Sequence, residues 1–546
     1  MKRLPFRRAL AAAAAATVLL AGCTVSSELT SGTSATTVQT TTASDASSSA
    51  SDTAWTTIST AVMDASTGAS VATILAANDE IADVSTAADD AGTWDAASAT
   101  TIALADSGTT VEGADAAGVT VDGSTITITA GGTYVFSGTL TDGEIVVNAA
   151  DAEVRIVLNG VDITHADGPA IDVQDAGEAI VVLADGSTNT LADGATYADT
   201  SEDAPTATLY SSDDITITGT GSLSVTGNNN DGISSKNGIV LTGDTTIDVT
   251  AVDDGIRGKN YLAVESGTLT VDARGDALKS TEDTDEAQGF VAIGAATVTL
   301  TAGDDGIGAV TDVTVDGATL TITTGTSASA SDSSPKGINA GVSVTVDSGT
   351  LTIDAADEGI QAAAITINGG TLALTTGDDG INASNGDFVV EGYESAGSED
   401  DDGSVYTQTG GVVIIDNAAS DGLDSNGSAH VTGGLLVVES TIRSPEMAVD
   451  VNGSTTTVGL AVNLSVSAGD VVTVAGSDGS SQTFTSVTDT NTLTLLGLTE
   501  GASYTVSTGS VSVSGTAATI SASMGGGMGG GMGGGVGGGG GRGPRG

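Results

Sequence analysis

The stretch with the most chemical content combines paired acids with two cations. Residues 251–260 read AVDDGIRGKN, where Asp253 and Asp254 precede a glycine and Arg257 and Lys259 follow it. Adjacent carboxylates offer the hard oxygen ligands that Ca²⁺ prefers. Arg and Lys bind carboxylate groups through charge-assisted hydrogen bonds. The stretch therefore holds candidate metal ligands beside candidate anion-binding groups.

The acidic tetrad at the start of this stretch recurs along the chain. It returns as NDGI, DDGI, GDAL, DDGI, PKGI, DEGI, DDGI and SDGL, beginning at residues 230, 253, 275, 304, 335, 357, 378 and 420. The regular intervals are 21–23 residues, and the longer ones contain insertions or span two periods. A repeat of this length is typical of a solenoid, in which each unit stacks on the next.

The residues between tetrads alternate between apolar and polar types. Examples are VTVD at 313–316 and ATLTITT at 318–324, and Gly or Asp separates such runs. This pattern predicts two or three short strands per unit. A unit of this kind has no partner strand of its own, so it satisfies its backbone by pairing with the next unit. The sequence therefore predicts an all-β parallel β-helix.

Stacked coils lie about 4.8 Å apart, so aligned residues form columns. The two acidic positions of the tetrad collect our candidate metal ligands: Asp231, Asp253, Asp254, Asp276, Asp304, Asp305, Asp357, Glu358, Asp378 and Asp379. Like charges at this spacing repel by about 0.9 kcal/mol per pair in water, and Ca²⁺ neutralises such a stack. The alternative is that Asp-Gly serves only as the turn chemistry of each coil.

Positive charge is scarce, with 14 Lys and Arg against 70 Asp and Glu. Four cations nevertheless align on three consecutive coils, and their columns continue into polar amides: Lys236, Arg257, Lys259, Lys279, Asn339 and Gln361. We predict that these six residues bind a ligand with carboxylate and sugar hydroxyl groups. The alternative is a surface salt-bridge network with the neighbouring acids, which adds little stability.

Hydrolytic catalysis has little support in the sequence. The two histidines, His165 and His430, are far apart and lack a nucleophile motif. A polyuronate lyase is the enzymatic alternative, with Lys279, Lys259 or Arg257 acting as the base or neutralising the substrate carboxylate. A passive surface scaffold is the second alternative. We expect binding without catalysis.

The N-terminus has the pattern of a lipoprotein signal. A basic start and an apolar run lead to LAGC at 20–23, and Cys23 is the only cysteine. This string matches a lipobox, which predicts a lipid anchor at Cys23 and an extracytoplasmic location on the cell membrane. An ordinary signal peptide that contains a cysteine is the alternative. A net charge of −56 excludes nucleic acid as a partner, and we expect a monomer.

These patterns divide the chain into six parts. We predict a signal peptide at 1–22, a Ser/Thr-rich linker at 23–53, an Ala-rich segment without assignment at 54–93, a β-helix at 94–455, a small antiparallel β cap at 456–523 and a Gly/Met-rich tail at 524–546.

Several of these strings together resemble a bacterial carbohydrate-binding domain family of surface lipoproteins. They include NNNDGISSKNGIVLTG at 228–243, the stretch from AVDDGIRGKN to DALKS at 251–280, and RIVLNGVDITHADGPAI at 155–171. The resemblance implies a right-handed parallel β-helix related to pectate lyases, calcium bound between coils, and binding of polygalacturonate-like acidic polysaccharide. The sequence departs from the family pattern in the acidic insertion EGYESAGSEDDDG at 391–403 and in STIRSPEMAVDVNG at 440–453.

Overall fold

The computed structural model describes residues 92–201, 204–285, 287–325, 334–385, 393, 400–417, 420–440, 447–520 and 523–525. All of them belong to one compact unit, Thr37–Gly546. The predicted signal peptide, the lipidation site Cys23, the linker, nearly all of the Ala-rich segment and nearly all of the Gly/Met-rich tail lie outside the described residues.

The described chain is all-β, and its strands are mainly parallel, as predicted. The helical content of this part is a single 3₁₀ turn, Ala116–Gly118. No helix in it is both long and apolar enough to cross a membrane. The abundance of Val, Ile and Thr explains this class, because their branched side chains pack well on a pleated surface.

The N-terminal part holds nine strands: β1 Thr100–Ala105, β2 Thr110–Glu112, β3 Val119–Asp122, β4 Thr125–Ile128, β5 Gly132–Leu140, β6 Glu144–His165, β7 Ile171–Leu183, β8 Thr188–Asp193 and β9 Ala207–Ser211.

The repeat region follows: β10 Ile215–Gly219, β11 Ser222–Gly227, β12 Asp231–Ser235, β13 Gly238–Leu241, β14 Thr246–Ala251, β15 Ile256–Gly258, β16 Tyr261–Val264, β17 Thr268–Ala273, β18 Leu278–Ser280, β19 Phe290–Ile293, β20 Thr297–Thr301, β21 Ile307–Ala309, β22 Asp312–Thr323, β23 Ile338–Ala340, β24 Ser343–Ala355, β25 Ile360–Ala362, β26 Ala364–Ile367, β27 Thr371–Thr376, β28 Ile381–Ala383, β29 Val405–Gln408, β30 Val412–Asn417, β31 Leu423–Ser425, β32 Ser428–Val431, β33 Leu435–Ser440 and β34 Met447–Val451.

The C-terminal strands are β35 Val458–Val462, β36 Val471–Gly476, β37 Ser481–Thr485, β38 Thr492–Leu496, β39 Ser503–Thr508, β40 Val511–Thr516, β41 Ala518–Thr519 and β42 Ser523–Gly525. Their pairings are antiparallel, and β36, β37, β39 and β40 form a separate four-stranded sheet. Strand β38 pairs antiparallel with both β33 and β35.

The repeat-region strands stack in three parallel ladders. Ladder A runs through the second half of β7, then β10, β13, β16, β19, the first halves of β22 and β24, β26, β29 and β32. Ladder B runs through β8, β11, β14, β17, β20, the second halves of β22 and β24, β27, β30 and β33.

Ladder C runs through the first half of β7, then β9, β12, β15, β18, β21, β23, β25, β28, β31 and β34. One strand from each ladder makes a coil, and one coil corresponds to one sequence repeat. Apolar residues from all three ladders fill a single interior, in which Ile256, Leu269 and Leu262 meet. Alternation along each strand therefore sends every second side chain inward.

The glycine of the tetrad is required by packing against this interior. A Cβ on Gly255 would lie 2.3 Å from Val271 Cγ1, and one on Gly306 would lie 2.3 Å from Ile322 Cγ2. The same Cβ on Gly306 would lie 2.6 Å from the carbonyl oxygen of Gly337 in the next coil. Each coil thus turns from ladder B into ladder C with no room for a side chain at that point.

Candidate functional site

The middle residues of successive ladder C strands form one vertical row, which we call the polar column. It consists of Tyr210, Ser234, Arg257, Lys279, Gly308, Asn339, Gln361, Asn382, Asp424 and Asp450. From Ser234 to Asp424 this is the register that the tetrad alignment predicts. Flanking residues such as Ile256 and Gly258 are buried while Arg257 is half-buried, so this row lies on the outer surface.

The second tetrad residues form a neighbouring row, the carboxylate column: Asp231, Asp254, Asp276, Asp305, Lys336, Glu358, Asp379 and Asp421. Its carboxylates bind the main chain of the next coil. The Oδ1 of Asp254 accepts the N–H of Asp276 at 3.0 Å, and the Oδ1 of Asp276 accepts that of Asp305 at 2.9 Å. The Oδ1 of Asp305 accepts the N–H of Lys336 at 2.7 Å. These acids therefore join one coil to the next, a role that local turn chemistry does not explain.

The second oxygen of these carboxylates is directed toward the polar column. Lys279 Nζ lies 2.7 Å from Asp276 Oδ2 and 3.3 Å from Asp254 Oδ2. Asn339 donates from Nδ2 to Asp305 Oδ2 at 2.8 Å. The two columns are thus linked sideways by ion pairs and hydrogen bonds.

Arg257 makes the corresponding contact one coil earlier. Its Nη2 lies 2.6 Å from Asp231 Oδ2 and donates to Thr206 Oγ1 at 2.9 Å. Asp231 is fully buried, whereas the Arg257 side chain keeps 29% of its surface exposed. The guanidinium therefore neutralises a buried acid while part of it still faces solvent.

Burial is the largest influence on the pKa values of two acids of the carboxylate column, and it raises them. It raises the pKa of Asp231 and of Asp276 to about 7, although Arg257 and Lys279 act in the opposite direction. For Lys279, burial lowers the pKa, but the carboxylates of Asp276 and Asp254 outweigh it and the pKa rises above its ordinary value. Lys279 is therefore held as a charged donor, whereas a lyase base must accept a proton.

The other two predicted cations lie at turns rather than in the column. Lys236 follows β12 directly, Lys259 follows β15 directly, and both are exposed. Lys259 Nζ lies 2.8 Å from Glu282 Oε2 in the loop after β18. The structure therefore brings Arg257 and Lys279 together and leaves Lys236 and Lys259 on the adjacent corner.

Amide side chains continue the polar column beyond Gly308. Gln361 donates from Nε2 to Ser384 Oγ at 3.0 Å, and Asn382 donates from Nδ2 to Glu358 Oε1 at 3.3 Å. Burial raises the pKa of Glu358 to about 7. Lys336 Nζ, at 2.9 Å from Glu358 Oε2, forms an ion pair with it.

The remaining predicted metal ligands occupy two settings. The first tetrad residues lie nearer solvent: Asp253 and Asp378 are exposed, and Asp304 and Asp357 are half-buried. Asp379 belongs to the carboxylate column, where its Oδ1 accepts the N–H of Asp421 at 2.9 Å.

Three carboxylates converge at the far end of the columns. Oxygens of Asp421, Asp424 and Asp450 all lie within 4.8 Å of one another. Burial, followed by repulsion from Asp379, Asp421 and Asp450, raises the pKa of Asp424 to about 7. The tetrad alignment contains Asp421 and Asp424 but misses Asp450, because β34 follows no Asp-Gly tetrad. Its alternating sequence, MAVDV, is the signal that identifies it.

Gly308 leaves a gap in the middle of the polar column. It lies between Lys279 and Asn339, which are two strand spacings or about 9.6 Å apart along the column. A Cβ at Gly308 would meet Asp276 Oδ2 at 3.2 Å and Asp305 Oδ2 at 4.0 Å. The gap therefore has charged and amide donors at its two ends and carboxylate acceptors at its base.

The described chain is thus an all-β protein of parallel ladders, with an outward row of charged and amide side chains on ladder C. The sequence pattern of a family described as "Carbohydrate-binding domain-containing protein" matches residues 122–380, which include the column from Tyr210 to Gln361. The chain is similar to this family over that range.

One curated relative and one solved structure are similar to parts of the chain. A carbohydrate-binding domain-containing protein of Acetivibrio thermocellus is 40% identical over 129 residues, which are 23% of this chain and 45% of that protein. The chain thus spans less than half the length of that curated relative. A solved structure titled as a polysaccharide lyase-like protein from C. thermocellum, a gadolinium derivative, is 31% identical, covers 46% of this chain and 96% of its own, and superposes with a TM-score of 0.41.

Proposed function

We propose that the protein binds an acidic polysaccharide, polygalacturonate-like, along the polar column of ladder C, without cleaving it. The observation that carries this proposal is the gap at Gly308 between Lys279 and Asn339. A sugar residue seated there meets donors from both ends and carboxylate acceptors from Asp276 and Asp305. Sugar hydroxyls both donate and accept, so a mixed floor of this kind suits them.

Charge on the column favours an acidic polymer over a neutral one. Arg257 and Lys279 keep 29% and 34% of their side chains exposed although each is paired with an acid. The exposed part of each side chain carries N–H groups that can donate to a carboxylate on the ligand. A uronate carboxylate is the ligand group that these free donors fit.

Calcium is the cation that we propose for the acidic end of the columns. Ca²⁺ accepts several carboxylate oxygens in flexible geometry, and Asp421, Asp424 and Asp450 place three within reach of one another. The candidate ligands nearer Lys279 have a Lys or amide partner instead. An ion at the three-Asp group reduces the repulsion that raises the pKa of Asp424.

Three further features complete the proposal. The ladders fit a right-handed parallel β-helix whose C-terminal antiparallel strands act as a cap over the end of ladder B. The LAGC string supports a lipid anchor at Cys23 and a place on the outer face of the cell membrane. A monomer is the form we propose, with the polysaccharide as its partner.

Retention on immobilised polygalacturonate tests the binding role, with a neutral polymer such as cellulose as the comparison. We expect the protein to be retained on polygalacturonate and not on cellulose, and to be released by high salt, which screens the contacts between the cations and the ligand carboxylates. The variant Gly308→Gln fills the gap and should reduce retention at least about tenfold, roughly the loss of one well-placed polar contact. The matched control Thr299→Gln lies on the exposed face of ladder B in a neighbouring strand and should bind normally.

Ultraviolet absorbance in the same samples distinguishes binding from cleavage, because β-elimination leaves an unsaturated product. We expect no growth in absorbance, since Lys279 is held protonated by two carboxylates. Growth of absorbance supports the lyase alternative. A protein that is neither retained nor active is the scaffold alternative, and either result contradicts the proposal.

A further inference from the structure

The polar column is covered at its N-terminal end and open along the rest of its length. Continued backward, its register runs from Tyr210 to Asp172 on the first half of β7. Asp172, Tyr210 and Ser234 are at most 5% exposed, although they occupy the outward row of ladder C. From Arg257 onward, every residue of the column is half-buried. The accessible part of the column therefore begins at Arg257.

The connection between β8 and β9 is much longer than its counterparts in the repeat region. It spans 194–206, whereas 228–230 and 252–255 make the same turn from ladder B to ladder C in the next two coils. Within its described part, the Ala198 N–H donates to the carbonyl oxygen of Asp167 at 2.8 Å, in the loop before β7. The connection therefore extends back from its own coil to the preceding one.

Tyr197 fixes this connection beside the buried end of the column. Its hydroxyl donates to Asp193 Oδ2 at 2.7 Å, at the end of β8. Burial, followed by Asp193 and then by the charges of Asp231 and Asp172, raises the pKa of Tyr197. Asp172 belongs to the coil before Tyr210, and Asp231 belongs to the coil after it. The Tyr197 hydroxyl thus lies within electrostatic reach of the coils on both sides of Tyr210.

Arg257 joins the connection to the open column. Its Nη2 donates to Thr206 Oγ1 at 2.9 Å, at the end of the connection and two coils before its own. Ser234 lies in the coil between them, and the Arg257 side chain covers it. Tyr197, Thr206 and Arg257 therefore form a continuous barrier across the column, which we call the end wall.

Polar atoms at the base of the end wall lack partners. Asp172 Oδ1, Tyr210 Oη, Asp231 Oδ1 and Arg257 Nε are buried, and none has a hydrogen-bond partner among the described residues. Such groups are costly unless a ligand or a water binds them. Asp231 Oδ1 accepts and Arg257 Nε donates, and the two side chains already meet through Oδ2 and Nη2 at 2.6 Å. A single hydroxyl group can donate to the first atom and accept from the second.

The end wall lies close to the gap at Gly308. Ser234, the last covered position, is three strand spacings or about 14 Å from Gly308 along the column. In the other direction the open column continues to Asp450, over five spacings or about 24 Å. A polymer seated at the gap therefore meets the wall on its short side and lies on an open surface on its long side.

We propose that the column binds the polysaccharide by a chain end, with the terminal sugar against the end wall. A chain terminus carries a hydroxyl that the glycosidic bond replaces in internal sugars, and Asp231 Oδ1 and Arg257 Nε are the acceptor and the donor for it. Arg257 binds the terminal sugar, and Tyr197 blocks continuation of the chain. This inference rests on the proposed function and adds the part of the polymer that is recognised.

The number of binding sites on polygalacturonate of different chain length tests this inference. The full chain is titrated calorimetrically against equal masses of intact polymer and of the same polymer shortened by partial acid hydrolysis. We expect the sites per gram to rise by the same factor as the number of chain ends. An unchanged number of sites per gram overturns the inference and leaves the proposed function standing. Absence of binding to both samples contradicts the proposed function, and the inference with it.

A variant without the connection tests the end wall itself. Replacing residues 194–206 with NNN, the sequence of residues 228–230, gives this coil the short turn of the next one. We expect its sites per gram to be equal for the intact and the shortened polymer, because the chain can then continue past Arg257. A replaced chain whose sites still rise with the number of ends overturns the inference.

A point variant applies where the replaced chain does not fold. Tyr197→Ala opens the wall within an otherwise intact connection, and Thr196→Ala, at the exposed neighbouring position, is the matched control. We expect the ratio of sites on shortened polymer to sites on intact polymer to fall in Tyr197→Ala and to keep its parent value in Thr196→Ala. Equal ratios in the two variants overturn the inference.

Discussion

Lys279 Nζ lies 2.7 Å from Asp276 Oδ2, three residues before it in the chain, and this ion pair joins the two columns of ladder C. Asp276 in turn accepts the main-chain N–H of Asp305 through its other oxygen. A single carboxylate therefore binds the cation beside it and the backbone of the next coil. Asp276 therefore stabilises the stacking of the coils and also positions Lys279, which we propose as a ligand-binding residue.

Removal of the Lys279 charge should destabilise the fold. Lys279→Ala leaves Asp276 and Asp254, both at least nine-tenths buried, without their cation. We expect a loss of about 2 kcal/mol in unfolding free energy at pH 8, less than for a fully buried pair because Lys279 is partly exposed. Urea unfolding measures it. Arg274→Ala removes an exposed cation just past β17 and is the control, and an equal loss there contradicts the expectation.

Stability should fall as the pH rises from about 4 to about 7. Burial raises the pKa of Asp231, Asp276 and Glu358 to about 7, whereas unfolded carboxyls titrate near 4. The folded state therefore binds more protons in this window, and the free energy of unfolding decreases with pH until these groups are ionised. The pKa of Glu282 is lowered, so this group makes the free energy of unfolding increase with pH, over a lower pH range.

Thermal unfolding in chelator at pH 4.5, 6 and 8 measures this dependence. We expect the highest Tm at pH 4.5 and the lowest at pH 8. The slope should shrink in Asp276→Asn, which removes one of the groups whose pKa burial raises to about 7. A Tm that rises steadily to pH 8 contradicts the role of burial.

A methyl group at the tetrad glycine should be costly. Gly306→Ala places a Cβ 2.3 Å from Ile322 Cγ2 and 2.6 Å from the Gly337 carbonyl oxygen, so the coil must shift. Overpacking of this kind destabilises by about 1–3 kcal/mol. Gly186→Ala, where a Cβ meets nothing within 4 Å, isolates the effect of its positive φ in a loop. A Gly306→Ala protein as stable as the parent would falsify the packing argument.

Calcium should stabilise the protein through the three-Asp group. We expect Tm to rise with added Ca²⁺ in the parent, because an ion that binds only the folded state stabilises it by mass action. Asp424→Asn should abolish most of that rise, while Asp253→Asn, on the exposed tetrad position, should retain it. A Ca²⁺ response that is unchanged in Asp424→Asn shows that the ion binds elsewhere.

The apolar–polar alternation predicts the all-β class, and the repeat period predicts the parallel stacking and the register of the polar column. One coil equals one tetrad interval, so aligning the tetrads places Arg257 beside Lys279 and Asn339 beside Gln361, and the strand pairing has the same register. Periodicity survives in the sequence because every coil repeats the same turn and the same inward alternation.

Only the tertiary structure shows the hydrogen-bond and ion-pair partners of the aligned side chains. The sequence placed Asp276 beside Asp254, but only the fold shows that each carboxylate binds the next coil with one oxygen and a polar-column residue with the other. It also separates Lys236 and Lys259 from Arg257 and Lys279, since a residue just past a strand end no longer shares its face. The three-Asp group also includes Asp450, whose strand follows no Asp-Gly tetrad, so the tetrad alignment alone does not place Asp450 beside Asp421 and Asp424.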